Sequence, residues 1–282
     1  MKLLYGAFLG LVQGVAEFLP ISSSGHLALF ENVLNMQTMT DMGENALFNI
    51  LLHLATLVAV VIAYWQDVKT MVREGFGMVK SVCRREPLLG DGIPARRMIL
   101  MIVVATLPLF LIVPFQDMLE SLNDKPLFIG IALVVTGLLL YISDRLPKGN
   151  KDERTMTVVD ALLVGLAQGL ATIPGLSRSG TTITAGMSRG FERGFAVRFS
   201  FLMSLLSVLG AVVLKVLDVL EEGFDAAMLP VYLTGMVVAG VTGYFCIKLL
   251  QKIVQKGRFG GFAYYCWAVG VLSIVLSLVL GL

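Results

Sequence analysis

The fold of this chain is decided by Gln13-Gly14-Val15-Ala16-Glu17-Phe18-Leu19-Pro20-Ile21-Ser22-Ser23-Ser24-Gly25-His26, which returns as Gln168-Gly169-Leu170-Ala171-Thr172-Ile173-Pro174-Gly175-Leu176-Ser177-Arg178-Ser179-Gly180-Thr181. The copies align without a gap at an offset of 155 residues. Six positions are identical: Gln13/Gln168, Gly14/Gly169, Ala16/Ala171, Ser22/Ser177, Ser24/Ser179 and Gly25/Gly180. Among the eight positions that differ, Glu17, Ser23 and His26 are replaced by Thr172, Arg178 and Thr181. The scaffold is repeated, but its polar side chains are not. This pattern predicts one site where two duplicated halves meet.

The composition is that of a membrane protein. Hydrophobic residues make up 56% of the 282, charged residues only 15%, and the mean hydropathy is +0.82. Soluble domains carry a much larger charged fraction, so we expect a polytopic, all-α integral membrane protein. The net charge of +2 is too small to indicate a nucleic-acid partner.

Six apolar runs are each long enough to cross a hydrocarbon core of ~30 Å, which takes about 20 helical residues. They are residues 48–65, 98–115, 127–142, 199–217, 228–250 and 262–282. The two motif regions differ, because their apolar stretches are interrupted by Pro20 and by Pro174. The halves beside each proline are too short to span, so we expect two re-entrant helix pairs, about 3–35 and 158–190, buried in protein or lining a wet cavity.

The basic residues give the predicted topology. Eighteen of the 22 lysines and arginines lie in segments 66–97, 144–154, 189–198 and 248–258. The loops between the spans are acidic, with Asp117, Glu120 and Asp124 in one and Asp218, Glu221, Glu222 and Asp225 in another. The positive-inside rule places the basic segments in the cytoplasm, so the first hairpin enters from outside and the second from the cytoplasm. We therefore expect two inverted repeats, 1–145 and 156–282, each with one re-entrant pair and three spans, whose breaks converge near the midplane.

The first break carries an acid, serines and a histidine. Gln13 and Glu17 are four residues apart and share a helix face. A carboxylate at membrane depth costs roughly 2.5–3.5 kcal/mol and is usually paired, metal-bound or functional. After the break, Ser22–Ser24 supply hydroxyls and free N–H groups at a helix start, which attracts anions. Ser23 is the candidate nucleophile, and His26 follows it by one turn.

The second break offers a matching anion site, in which Arg178 can hold a phosphate through two parallel hydrogen bonds. Two converging helix starts, an arginine, serines and an acid together indicate a site for a doubly phosphorylated group. The candidate phosphate-binding residues are Ser22, Ser24, Gly25, Ser177, Ser179, Gly180 and Thr181.

Other polar residues of the apolar runs are expected to have structural roles. Asn49, His53 and Asp67 have no counterpart in the second half that suggests chemistry, so we expect them to form hydrogen bonds between helices. Asp160 lies near a half-helix end, where we expect a capping or interfacial charge.

The two motifs resemble the paired signature of the bacterial undecaprenyl-diphosphate phosphatase family, the bacitracin-resistance type of membrane phosphatase, over essentially the whole chain. The resemblance implies hydrolysis of undecaprenyl (C55 isoprenyl) diphosphate to the monophosphate, which recycles the carrier lipid of the cell wall, with a divalent cation, Mg²⁺ or Ca²⁺. It implies that Glu17, Ser23, His26 and Arg178 match the family's functional residues. Many members carry Glu at the position of Gln13, whose amide oxygen can ligate a cation but supplies no charge.

The resemblance also implies partners and a location. The partners are undecaprenyl diphosphate and the lipid bilayer, with a homodimer as an option and no nucleic acid, and bacitracin is expected to compete for the substrate rather than bind the protein. The protein is expected in the bacterial inner (plasma) membrane, with its site open to the outer face.

We expect Ser23 to attack the terminal phosphorus, Arg178 and the helix starts to stabilise its oxygens, and a cation held by Glu17 and Gln13 to bridge the diphosphate. In this scheme His26 activates Ser23 or the hydrolytic water. Direct attack by metal-bound water, with Ser23 only binding phosphate, is the alternative. The rival function is a transporter or flippase of a lipid phosphate or another anion on the same inverted-repeat scaffold, and a purely structural subunit is a third reading. A carrier would need no nucleophile and base one turn apart.

Overall fold

The computed structural model describes residues 2–34, 46–87, 93–222 and 226–280. Its helices are α1 (Lys2–Phe18), α2 (Ser23–Leu34), α3 (Ala46–Ala63), α4 (Trp65–Cys83), α5 (Pro94–Thr106), α6 (Gln116–Glu120), α7 (Pro126–Ser143), α8 (Val158–Leu170), α9 (Arg178–Ser188), α10 (Arg193–Glu222), α11 (Leu229–Gln255) and α12 (Phe262–Leu280). Within these ranges the only β-structure is an isolated bridge between Lys151 and Phe191. Among the residues and ranges named above, Asp225, residues 88–92 of segment 66–97 and the range ends at 1, 35 and 282 lie outside the described residues. The all-helical class predicted from composition is confirmed.

The number of long apolar helices agrees with the sequence. Five segments are long and apolar enough to cross a membrane: Pro94–Phe115, Pro126–Ser143, Arg193–Val213, Leu229–Gln255 and Phe259–Leu280. A sixth is obtained if α3 and α4, which are bent by 91° at Tyr64, are taken as one broken span. These counts refer to the described part of the chain, and they make the protein a multi-pass membrane protein.

The sequence predicted segment 66–97 only as a basic connection, but all except the first residue of the 19-residue helix α4 lies in it. Its apolar residues Val72, Phe76 and Val79 are exposed along one stripe, while Met78 and Ser81 are buried. The basic residues interleaved with this stripe hid the helix, because they lower the mean hydropathy that marks a span.

The motif helices end and restart at the prolines. Helix α1 ends at Phe18, two residues before Pro20, and α2 starts at Ser23. Helix α8 ends at Leu170, four residues before Pro174, and α9 starts at Arg178. Proline removes a backbone donor and disfavours the helical conformation of the preceding residue, which ends both helices.

Close glycine contacts seat each motif helix against a long span. Gly10 of α1 lies so near the Gly235 carbonyl of α11 that a Cβ would collide with it. Gly165 of α8, 155 residues later, meets the carbonyl of Ala105 in α5 in the same way. Small residues allow helix backbones to approach closely in membranes. Packing against α11 and α5 thus brings the two breaks into the protein interior.

Candidate functional site

The two breaks have the same local geometry. The Ser22 hydroxyl accepts a hydrogen bond from the Gly25 N–H (3.3 Å), and the Ser177 hydroxyl accepts one from the Gly180 N–H (3.1 Å). Each hydroxyl also faces the hydroxyl of the serine two residues later, with an oxygen–oxygen distance of 3.5 Å for Ser22 and 3.2 Å for Ser177. The predicted serine caps are therefore present at both helix starts, which leaves further N–H groups free for an anion.

The two breaks also touch each other. A Cβ on Gly25 would lie 3.0 Å from the Cα of Gly175, and one on Gly180 would lie 3.2 Å from the Cβ of Pro20. Pro20 and Gly175 are equivalent positions of the two motif copies, as are Gly25 and Gly180. Residues separated by 155 positions in sequence are thus brought into one site, because each helix start packs on the turn of the other break.

Ser23 and Glu17 are joined by a hydrogen bond at this site. The Ser23 hydroxyl donates to Oε2 of Glu17 at 2.7 Å, across the turn that contains Pro20. Nε2 of Gln13 donates to the same carboxylate oxygen at 3.1 Å. The predicted face shared by Gln13 and Glu17 is therefore real. A serine hydroxyl hydrogen-bonded to a carboxylate is the arrangement needed to remove its proton during nucleophilic attack.

Arg178 joins this pair from the second break. Its Nη2 lies 3.6 Å from Oε1 of Glu17. The Arg178 side chain is 32% exposed, whereas that of Glu17 is only 11% exposed. Arg178 thus balances the buried carboxylate and still presents part of its guanidinium to a ligand.

His26 faces away from this pair. Its Nδ1 bonds to the Ser22 carbonyl oxygen at 2.8 Å, and its Nε2 bonds to the Tyr265 hydroxyl at 2.8 Å. Both ring nitrogens are therefore engaged, and the hydroxyl of Ser23 donates to Glu17 instead. Sequence spacing suggested a Ser23–His26 partnership, but the turn at Ser22 directs the imidazole toward α12.

The donors available for a divalent cation are Glu17 and Gln13. Among the described residues no three His, Cys, Asp or Glu side chains form a metal-binding group. Gln13 is fully buried, and its Oε1 has no hydrogen-bond partner in the structure. An orphaned amide oxygen beside a carboxylate fits a hard cation that takes its remaining ligands from water and phosphate.

Two residues near the site carried no functional signal in the sequence. Tyr265 of α12 bonds to His26, and His53 of α3 lies within electrostatic range of Glu17. His53 was expected to bond between helices, yet its Nδ1 bonds to the Asn49 carbonyl of its own helix at 2.9 Å. A tyrosine in an apolar helix reads as an ordinary membrane residue, so only the tertiary structure singles it out.

Two other charged residues behave as the sequence indicated. Asp67 of α4 pairs with Arg198 of α10 at 2.6 Å, which joins two helices. Asp160 forms a capping box with Thr157 and also pairs with Lys151 at 2.8 Å and Arg189 at 2.9 Å. Their hydrogen-bonding capacity is used structurally.

The cavity beside the two breaks is small. A cavity of about 10 Å³ lies beside Glu17, between α1, α3 and α10, and is too small for a diphosphate. A larger one, of about 300 Å³, lies between α4 and α5 and is lined by residues such as Asp67, Glu74 and Arg198, away from the two breaks. At the two breaks, Ser24 is exposed and Arg178 is half-buried.

The chain is similar to known proteins over nearly its full length. The chain matches the family model described as bacitracin resistance protein BacA over residues 6–272. It is 37% identical to the undecaprenyl-diphosphatase of Halothermothrix orenii, over 98% of this chain and 99% of that protein. It is 40% identical to the undecaprenyl-diphosphatase of Alkaliphilus metalliredigens over 96% of this chain and 97% of that protein. Identity to the protein of the same name from Methanosphaera stadtmanae is 36%, over 99% of this chain and all of that protein (100%).

Proposed function

The chain belongs to the bacitracin resistance protein BacA family, and from this membership we propose that it is an undecaprenyl-diphosphatase. It hydrolyses undecaprenyl diphosphate to undecaprenyl phosphate and inorganic phosphate, and so returns the carrier lipid to cell-wall synthesis. The observation that carries this function is the hydrogen bond of 2.7 Å between the Ser23 hydroxyl and Glu17, beside Arg178 of the second motif.

Ser23 is the nucleophile of the first step. Its Oγ attacks the terminal phosphorus while its proton passes to Glu17, the acceptor of its hydrogen bond. The bond between the terminal phosphorus and the bridging oxygen breaks, and undecaprenyl phosphate leaves with the electron pair. The leaving group is a phosphate monoester anion, so it needs little protonation.

Water completes the reaction. It attacks the phosphorus of the phosphoserine, and the bond between phosphorus and the Ser23 oxygen breaks. That oxygen takes back the proton held by Glu17, and the proton lost by water ends on the released phosphate. Serine and carboxylate are thereby restored.

Arg178 and the helix starts stabilise the charge that develops on the phosphoryl oxygens. At the starts of α2 and α9, backbone N–H groups serve as donors, and the positive end of each helix dipole lies there. Arg178 adds two parallel N–H donors, which match two oxygens of one phosphate. Such preorganised donors are the main source of rate enhancement in phosphoryl transfer.

A divalent cation, Mg²⁺ or Ca²⁺, fits beside Glu17 and the orphaned Oε1 of Gln13. When bound, the cation supplies positive charge that neutralises the diphosphate. Gln13 orients Glu17 through its amide N–H at 3.1 Å and keeps its oxygen for the cation. His26 holds the turn before Ser23 through the Ser22 carbonyl.

The proposal includes the inverted repeat, with halves 1–145 and 156–282. It is supported by the reciprocal contacts of Gly25 with Gly175 and of Gly180 with Pro20, and by equivalent crossings at Gly10 and Gly165. The site opens to the outer face of the plasma membrane, which is supported by the clustering of basic residues in four loop segments. A transporter would use Arg178 and the helix starts, but a hydroxyl bonded to a carboxylate favours hydrolysis.

Purified protein in detergent is expected to release phosphate from undecaprenyl diphosphate, and excess EDTA is expected to abolish this release. Adding Mg²⁺ or Ca²⁺ in excess of the chelator should restore it, because the cation neutralises the negative charge of the diphosphate beside Glu17. Phosphate is measured colorimetrically. Absence of phosphate release under all these conditions would refute the phosphatase function. Full activity in EDTA would refute only the requirement for a cation.

Arg178→Lys is expected to lower kcat/KM by about 10- to 100-fold although it keeps the charge, because lysine lacks the planar pair of donors. Arg189→Lys is the matched control, since Arg189 directly follows the last residue of the same helix and pairs with Asp160. A fully active Arg178→Lys enzyme would show that the guanidinium of the second motif does not bind the phosphate.

A further inference from the structure

The turn before Ser23 contains a strained residue. Ser22 has a φ of 70°, in the left-handed region that residues with a Cβ rarely adopt. In the second break the left-handed residue is Gly175, with a φ of 91°. The equivalent of Gly175 is Pro20, whose ring fixes φ at a negative value, so the left-handed residue of the first break is Ser22. Such a conformation persists only where surrounding contacts hold it.

His26 provides one of these contacts. The Ser22 carbonyl oxygen accepts from the His26 backbone N–H at 3.2 Å and from its Nδ1 at 2.8 Å. A carbonyl can only accept, so the ring proton is on Nδ1. In the neutral ring Nε2 is then an acceptor, and the Tyr265 hydroxyl donates to it at 2.8 Å. The two rings are nearly parallel, at an interplanar angle of 8° and a centroid separation of 5.6 Å.

Helix α12 holds the same turn at a second point. The thiol of Cys266, next to Tyr265 in the chain, donates to the Pro20 carbonyl oxygen at 3.6 Å. The second break is likewise held by hydrogen bonds from a helix of the other half. Thr136 of α7 donates to the Gly175 carbonyl oxygen at 3.0 Å and accepts from the Ser177 N–H at 3.2 Å. Each turn is thus fixed by polar side chains from a distant span.

We propose that Tyr265 is a positioning residue of the phosphatase site, which acts through His26. The Ser22 carbonyl requires the Nδ1–H tautomer of the imidazole, and the Tyr265 hydroxyl, which donates to Nε2, holds the ring of that tautomer in place. The correct tautomer holds the Ser22 turn, and the turn keeps the Ser23 hydroxyl on Glu17. The role in catalysis rests on the proposed function, whereas the hydrogen bond to His26 can be tested without it.

Tyr265→Phe removes only the hydroxyl and is expected to lower kcat about ten-fold with KM unchanged, since substrate contacts stay in place. Tyr264→Phe is the matched control, because Tyr264 is 64% exposed and contacts Trp267 instead. The control should have wild-type kcat. A wild-type kcat in Tyr265→Phe would overturn the positioning role.

A double-mutant cycle separates positioning from a general loss of packing. In a His26→Ala background, Tyr265→Phe should cause no further loss of kcat, because both changes remove the same hydrogen-bonded chain. Losses that multiply would show that Tyr265 acts independently of His26 and would overturn the proposal.

Imidazole ¹⁵N NMR tests the hydrogen bond without any activity. The chain has only two histidines, so a His53→Gln variant leaves the signals of His26 alone. We expect a protonated Nδ1 and a hydrogen-bonded Nε2, and a shift of the Nε2 signal in Tyr265→Phe but not in Tyr264→Phe. Unchanged His26 signals in Tyr265→Phe would overturn the proposal. An inactive wild type with the expected NMR signals would instead refute the phosphatase function and leave the contact standing.

Discussion

Ser23→Ala is expected to lower kcat by about 100-fold or more, because it removes both the nucleophile and a ligand of the phosphoryl group. The loss should appear in kcat with little change in KM, since Arg178 and the helix starts still bind the substrate. Steady-state phosphate release from undecaprenyl diphosphate measures it.

Ser24→Ala is the neighbouring comparison for this variant. Ser24 is exposed, and its hydroxyl lies 3.5 Å from that of Ser22. We expect a loss of less than about ten-fold, since only one binding hydroxyl is removed. If Ser23→Ala turns over at a near-normal rate, serine attack is wrong and direct attack by water takes its place.

Glu17→Gln is expected to lower kcat by about 1000-fold or more, because the amide cannot accept the proton of Ser23. The change keeps the size of the side chain but removes the charge that faces Arg178 at 3.6 Å. It also replaces a charged cation ligand by a neutral one, so excess Mg²⁺ or Ca²⁺ should not restore activity. Activity is measured across a cation titration.

Gln13→Glu tests the cation site from the other side, since it adds a carboxylate one helical turn from Glu17. We expect it to lower the cation concentration needed for half-maximal activity. Substantial activity in Glu17→Gln would move both the proton acceptor and the cation to other residues, and His53, which lies within electrostatic range of Glu17, would be the first to examine.

The local features of the site were predictable because they depend on spacing along one helix or on a single residue type. The four-residue spacing of Gln13 and Glu17 gives a shared face, and their side chains do bond at 3.1 Å. The prolines give the breaks, which lie within four residues of the observed helix ends. The serines predict helix N-caps, and Ser22 and Ser177 both form the capping hydrogen bond. Helix α4 was missed, because its exposed apolar stripe is interleaved with charges.

The residues alone are enough to identify a helical membrane protein with two broken segments and two motif copies that differ in their polar side chains. These properties follow from hydropathy, proline and short-range periodicity, which act over a few residues. Which side chains meet depends on the packing of segments that are distant in the chain. The Ser23 hydroxyl donates its hydrogen bond to Glu17 rather than to His26, and His26 bonds to Tyr265, 239 residues away. The direction of a side chain beside a break depends on the left-handed turn at Ser22 and on the packing of α12 against it, and no local pattern encodes either of them.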